Sequence, residues 1–317
     1  MPESTRQRVA RVRATVIEPG DPASAAAHGL WRERTERLAG EEPLEIRVAV
    51  PGGEVVATTA TMRTPGQDFA LAAGLLHAEG VIALPGDLAE IGYCAAAAEQ
   101  QYNVVTVRLT RPPRRALAAR TLMATASCGV CGTTSIDELL ARVGRVGGAG
   151  RPDVGPLDPA VLADLPARLR EAQPLFDETG GLHAAGLFTA TGELLGAAED
   201  VGRHNALDKV LGERFLAGGL PAPGAVAVLS GRVSFELVQK VAAAGIPAIC
   251  AVSAPSSLAV TTAARLGITL AGFVRDGRMT VYSGVDRLSG AVKETALRPL
   301  GTCGECAWNL APQRCGA

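Results

Sequence analysis

Seven cysteines punctuate the 317-residue chain, and four of them form two Cys-x-x-Cys pairs, Cys128/Cys131 and Cys303/Cys306. That spacing serves metal ligation, dithiol redox chemistry, or a reactive thiolate assisted by its neighbour. The first pair lies in Ser127-Cys128-Gly129-Val130-Cys131-Gly132, a glycine-rich run that leads into Ser135-Ile136-Asp137-Glu138. Ser135 and Glu138 have the spacing of a capping box, which predicts a helix starting there. Glycines let the backbone turn tightly and leave thiols accessible, and an approaching helix N-terminus lowers a thiol pKa. A thiolate so placed can attack a sulfur donor and hold the transferred atom as a persulfide. The second cysteine then assists, protects, or resolves by forming a disulfide. The competing reading is half of a zinc site completed by Cys303 and Cys306. Against it, the second pair lies far away in a weakly patterned tail that also carries Cys315. Cys94 and Cys250 sit in apolar runs and read as small buried hydrophobes.

A second set of polar residues follows predicted strands. Arg203 and His204 lie in the run after Ala198, Ser230 and Arg232 follow Leu229, and Ser253, Ser256 and Ser257 follow Val252. If those strands are parallel, the loops share the carboxyl edge of one sheet, where open α/β sheets bind ligands. Helix N-termini at that edge present free N–H groups that suit phosphate, and the arginines add charge. A turn after a further strand, Phe273-Val274-Arg275-Asp276-Gly277-Arg278, supplies two more guanidiniums. Serine, aspartate and glycine also make ordinary caps and turns, so convergence of the loops carries the argument. No phosphate-binding P-loop and no dinucleotide fingerprint occurs, so neither ordinary class is expected.

The elements that must position these residues fall into two halves. Residues 1–40 read as an N-terminal extension with an extended segment at Val9–Ile17. Residues 41–150 read as a smaller α+β domain carrying the cysteine loop. Its signals are a hairpin through Pro51-Gly52-Gly53, a helix over Gln67–Ala78 and a strand at Tyr102–Leu109. Residues 151–287 alternate strands with helices, which predicts βαβ crossovers and a largely parallel sheet covered on both faces. In its helix at Asn205–Leu216, Leu207, Val210, Leu211 and Phe215 mark the core face. Residues 288–317 read as an appended tail.

Composition narrows the classes. A hydrophobic content of 47% excludes general disorder, and 31 basic against 32 acidic residues argues against a dedicated nucleic-acid binder. The longest uncharged stretch, Val241–Ala264, is broken by Pro247 and Pro255, so no membrane span is expected. The start of the chain lacks a secretory h-region, and the expectation is a soluble, cytoplasmic protein.

Five blocks in order, SCGVCG at 127–132, AEDVGRHNALDKV at 198–210, SGRVSFELVQK at 230–240, PAICAVSAPSSLAV at 247–260 and LAGFVRDGRMTVYS at 270–283, resemble the FdhD family. The likeness runs from about residue 40 to residue 287. Members are sulfur-carrier accessory proteins of formate dehydrogenase. The resemblance implies a sulfurtransferase that takes sulfur from a cysteine desulfurase. It would deliver that sulfur to molybdenum cofactor in its bis(molybdopterin guanine dinucleotide) form, for the apo-formate dehydrogenase. It also implies that Cys128 carries the persulfide, that Cys131 assists, and that Phe273–Arg278 holds the cofactor or a guanine-nucleotide mimic such as GDP. The implied architecture is a homodimer of chains with a cytidine-deaminase-like three-layer domain. The alternative is a chaperone that binds and inserts the cofactor without covalent sulfur transfer. Zinc-dependent deamination is not expected, because His183 is followed by Ala-Ala and the loop at Ala254-Pro255-Ser256-Ser257 has no thiol. The tail with Cys303, Cys306 and Cys315 lies outside the family pattern.

Overall fold

A computed structural model describes residues 8–18, 30–94, 102–117, 132–144 and 155–290. The chain opens with a hairpin of β1 (Val9–Glu18) and β2 (Leu30–Ala39), paired antiparallel from Val9↔Ala39 to Glu18↔Leu30. The sequence predicts only the first of these strands. In β2 the run Arg32–Arg37 is charged or polar on both faces and carries no apolar alternation.

β3 (Glu42–Ala49), β4 (Val55–Arg63), β5 (Leu88–Tyr93) and β6 (Val104–Leu109) form a sheet in the order β4-β3-β6-β5. Alternate residues Leu44, Ile46 and Val48 of β3, with Val105 and Val107 of β6, are fully buried. They pack beneath Leu71, Leu75 and Leu76 of α1 (Asp68–Ala78). This is the strand period of two meeting a helical face. α2 (Gly132–Val143) follows and begins one turn before the expected start at Ser135, which therefore lies inside its first turn.

The second sheet comes after α3 (Pro159–Glu171) and α4 (Pro174–Thr179). It contains β7 (His183–Thr189), β8 (Leu194–Asp200), β9 (Ala225–Leu229), β10 (Ala248–Ala251), β11 (Thr269–Arg275) and β12 (Arg278–Ser283). α5 (Arg203–Leu216), α6 (Phe235–Ala243) and α7 (Ser257–Leu266) provide the crossovers. The order is β12-β11-β10-β9-β7-β8. β9, β10 and β11 are parallel neighbours, whereas β7 runs antiparallel to β8 and β9, and β12 antiparallel to β11. The sheet is thus mixed, and the expectation of a largely parallel sheet holds for strand direction more than for pairing. The cause is loop length: Ala190–Glu193 and Asp276-Gly277 are too short to cross back over a sheet and must close hairpins.

Side chains alternate across this sheet. Val226 and Val228 pack with Leu165 and Leu169 of α3. Ala225, Ala227 and Leu229 pack against α5, α6 and α7, together with Leu207, Val210 and Leu211. Strand and helix periods therefore define three layers, with α3 on one face of the sheet and α5–α7 on the other.

The two sheets are joined through α1 and α5, whose backbones touch. A Cβ on Gly74 would sit 1.9 Å from the carbonyl oxygen of Asp208, and one on Gly212 would sit 1.8 Å from that of Ala70. Only glycine fits either place.

Candidate functional site

The pairing directions put the ends of β8, β9 and β10 at one edge of the six-stranded sheet, as the sequence predicts. A cleft of about 720 Å³ opens there beneath α3 and α4, lined by Arg170, His183, Ser230, Arg275 and Asp276 among others. Ser230 clamps its floor. Its Oγ accepts the N–H of Ala184 at 2.8 Å, and its own N–H donates to the carbonyl of Ala184 at 3.1 Å. At the rim the Arg170 guanidinium lies 4.7 Å over the Phe176 ring and pairs with Asp177. Phe176 is itself held by Glu199, whose carboxylate accepts the N–H groups of Leu175 and Phe176 at 3.0 and 2.7 Å.

The β11–β12 turn is shaped by backbone strain. Asp276 and Gly277 both have positive φ, 52° and 70°, as the tight hairpin turn between the paired Arg275 and Arg278 requires. Phe273 also has a positive φ of 52°, at a register shift in the pairing, and its N–H donates to the Ser253 carbonyl at 3.3 Å. For a bulky residue this conformation is costly, and Phe273 stays 41% exposed. Val274, Arg275 and Asp276, beside this residue, form part of the cleft wall.

The remaining expected residues stand elsewhere. Ser256 caps α7, its Oγ accepting the N–H of Ala259 at 3.2 Å, and Ser257 is the exposed first residue of that helix. His204 Nε2 lies 2.9 Å from the carboxylate of Glu236 and 3.2 Å from Ser234 Oγ, which orients the N-terminus of α5 against that of α6. Arg203, Arg232, Ser253, Phe273, Gly277 and Arg278 flank the same sheet edge without lining the cleft.

Two features escaped the sequence. The first is the hub at Asp200, whose carboxylate takes Lys209 Nζ at 2.7 Å and the N–H groups of Thr64 at 3.1 Å and Gly202 at 2.8 Å. Asn205 Nδ2 adds a bond at 3.2 Å and reaches the carbonyl of Met62 at 2.7 Å. Burial pulls the Lys209 ammonium below its ordinary range, against the opposing pull of Asp200. Asp200, Asn205 and Lys209 of the AEDVGRHNALDKV block therefore staple the β4–α1 connection to the loop after β8. The second is His183 in the cleft wall. Burial lowers its pKa, the charges of Arg203 and His204 lower it further, and Asp200 opposes them. In the sequence it is a lone histidine inside a run that reads as a strand, noted only for lacking the His-x-Glu pattern of a zinc deaminase.

Cys128 and Cys131 lie outside the described residues, as do Cys303, Cys306 and Cys315. The helix that follows the first pair is anchored on the α5–α7 side: Leu139 and Val143 join that core, and Asp137 pairs with Arg265. Cys250 is fully buried, and burial pushes its thiol up to about 12, consistent with a packing role; Cys94 is half-buried. Among the described residues no cluster of three His, Cys, Asp or Glu side chains could hold a metal ion.

These features define a mixed three-layer α/β domain with an arginine-bearing cleft at the carboxyl edge of its sheet. Residues 39–289 match the FdhD/NarQ family, and the chain belongs to it. It is 51% identical over 267 residues to the sulfur carrier protein FdhD of Streptomyces coelicolor, covering 82% of this chain and 92% of that one. It is 47% identical over 265 residues to its namesake in Mycobacterium tuberculosis, covering 81% and 93%. A crystal structure from Desulfotalea psychrophila, provisionally described as a formate dehydrogenase accessory protein, superposes with a TM-score of 0.65 at 25% identity. That match covers 89% of this chain and 99% of the other.

Proposed function

We propose that this protein is a sulfur carrier that serves the maturation of formate dehydrogenase. Cys128 attacks the terminal sulfur of a cysteine desulfurase persulfide: a new S–S bond forms, and the desulfurase thiolate leaves. Attack of Cys131 on the Cys128 Sγ then frees the terminal atom as hydrosulfide and leaves a disulfide, which a thiol reductant resets. The acceptor is molybdenum cofactor in its bis(molybdopterin guanine dinucleotide) form, bound as a substrate in the carboxyl-edge cleft. Arg170 and Arg275 face its pyrophosphate charge there, and Ser230 and Asp276 offer polar contacts. The single observation that carries this reading is the cleft, which sits where a phosphate-bearing ligand binds an open α/β sheet, in a chain whose relatives are named sulfur carriers.

We read the six-stranded layer as cytidine-deaminase-like. Support comes from an opening hairpin followed by crossover-linked parallel strands between helical layers. The family resemblance extends the reading to a homodimer in the cytoplasm. Among the described residues no helix is long and apolar enough to cross a membrane.

The test is mass spectrometry of the chain after incubation with desulfurase and cysteine, expecting one added sulfur on the peptide containing Cys128. An unmodified peptide would overturn the carrier mechanism. Formate dehydrogenase activity restored by a Cys128→Ala/Cys131→Ala variant would instead favour a chaperone that inserts cofactor without carrying sulfur.

A further inference from the structure

The cleft wall holds a titratable group in a cationic setting. His183 opens β7, and its ring lies along the backbone of Gly231 so closely that a Cβ there would sit 3.2 Å from Nδ1 and 3.3 Å from Cε1. The Arg203 side chain approaches the same point, with its δ carbon 4.0 Å away. Arg203 Nε is buried without a hydrogen-bond partner among the described residues. The groups that face His183 or share its cleft are Arg203 and His204 of α5, Arg170 of α3, Arg275 and Asp276 of the β11 end, and Asp200 of β8; Asp177 of α4 pairs with Arg170 and Glu236 of α6 with His204.

Asp177 and Glu236 are spent on Arg170 and His204, which leaves burial and Arg203 as the main influences on His183, and the other two acids do little to offset them. Asp200 is already taken up by Lys209, Asn205 and the N–H groups of Thr64 and Gly202. Asp276 sits at the mouth of the cleft, in the exposed turn. An empty cleft therefore favours the neutral imidazole, because a proton on His183 would meet cations and lose water. An anion in the cleft reverses both effects, since it supplies an opposite charge within a few ångströms.

We propose that His183 takes up a proton from solvent when a pyrophosphate diester occupies the cleft, so that ligand capture is proton-linked and release is favoured as pH rises. This rests on the cleft being the guanine-dinucleotide site argued above. The sign follows from linkage. Binding raises the pKa of His183, so the added affinity is fully present below the free-state pKa. It is lost as pH rises through the bound-state pKa.

The probe is a GDP-hexose, whose pyrophosphate is a diester with a fixed charge through neutral pH, so that any proton exchanged belongs to the protein. Calorimetry of the full chain in buffers of differing ionisation enthalpy reads the proton uptake. The expected result is uptake of up to about one proton and an affinity that falls by up to about tenfold per pH unit within the window. His183→Gln should still bind and should lose most of that uptake. The wild type offers a second readout, since the chain has only four histidines. The His183 imidazole resonance, assigned with the variant, should titrate at higher pH with ligand bound. Binding without proton uptake, uptake that persists in His183→Gln, or an unmoved resonance would overturn the inference and leave the cleft assignment standing. Absence of GDP-hexose binding on both sides of neutral pH would overturn the cleft assignment, and this inference with it.

Discussion

Lys209 on α5 and Asp200 at the end of β8 meet at 2.7 Å, with both side chains shielded from water. The same ammonium donates to the carbonyls of Thr64 at 2.8 Å and Glu199 at 3.3 Å. Desolvating two charges is expensive, and the bond geometry must offset it. Here every side-chain oxygen and the ammonium have partners, so the pair sets the position of the β4–α1 connection against the cleft loop.

Removing one partner should therefore cost far more than the pair contributes. Lys209→Met leaves Asp200 as a buried anion with only neutral donors, and a loss of about 3–5 kcal/mol in urea unfolding is expected. A loss below about 1 kcal/mol would show that water reaches the site and that the staple is not tight.

The touching backbones of α1 and α5 make a second expectation. Gly74→Ala places a methyl 1.9 Å from the Asp208 carbonyl oxygen, a backbone atom that cannot swing away. The helices must separate, with a loss of about 1–3 kcal/mol or more in thermal unfolding. Gly196→Ala is the comparison, because its methyl would meet only Val210 Cγ2 at an ordinary 3.6 Å. Equal melting temperatures for the two variants would refute the close contact.

The cleft separates two arginines that look equivalent in the sequence. Arg275 lines it and Arg232 does not. Arg275→Ala should weaken guanine-nucleotide binding about tenfold or more, the worth of one hydrogen bond to a charged group. Arg232→Ala should change it far less. Calorimetry that ranks them the other way would move the ligand off the α3 side of the edge.

Asp87 supplies a pH dependence. Burial alone would raise its pKa, but the N–H groups of Ala83 and Leu84 and the guanidiniums of Arg111 and Arg114 outweigh it and hold the carboxyl well below the usual range. A depressed acid stabilises the fold fully above its unfolded pKa of about 4, and that contribution fades as pH falls towards the folded value. Asp87→Asn should thus destabilise the protein at neutral pH, with the gap from wild type closing below about pH 4. A gap that stays constant from neutral to acid, measured by urea midpoints, would mean the carboxylate charge is immaterial.

Much of this molecule is written in local pattern. The alternation of Leu44, Ile46 and Val48, the helical spacing of Leu207, Val210 and Leu211, and the Asp276-Gly277 turn each report neighbours within one element. Those signals place strands, helices and turns within a few residues, and the alternation of strand and helix predicts one shared ligand edge. β2 escaped because most of its residues are exposed, so burial left no alternating mark on them.

Other relationships belong to the fold. Thr64 and Asp200 are 136 residues apart, and nothing in either neighbourhood announces the bond between them. The same holds for Gly74 against Asp208, and for His183 beside Gly231 and Arg203. The sequence by itself determined most of the elements and the family. Only the tertiary structure decided which polar residues line the cleft, which cap helices, and which lock one sheet to the other. The reason is physical: periodicity records whether a side chain faces water or core, whereas a hydrogen bond or ion pair records who the neighbour is, and distant neighbours are chosen by packing.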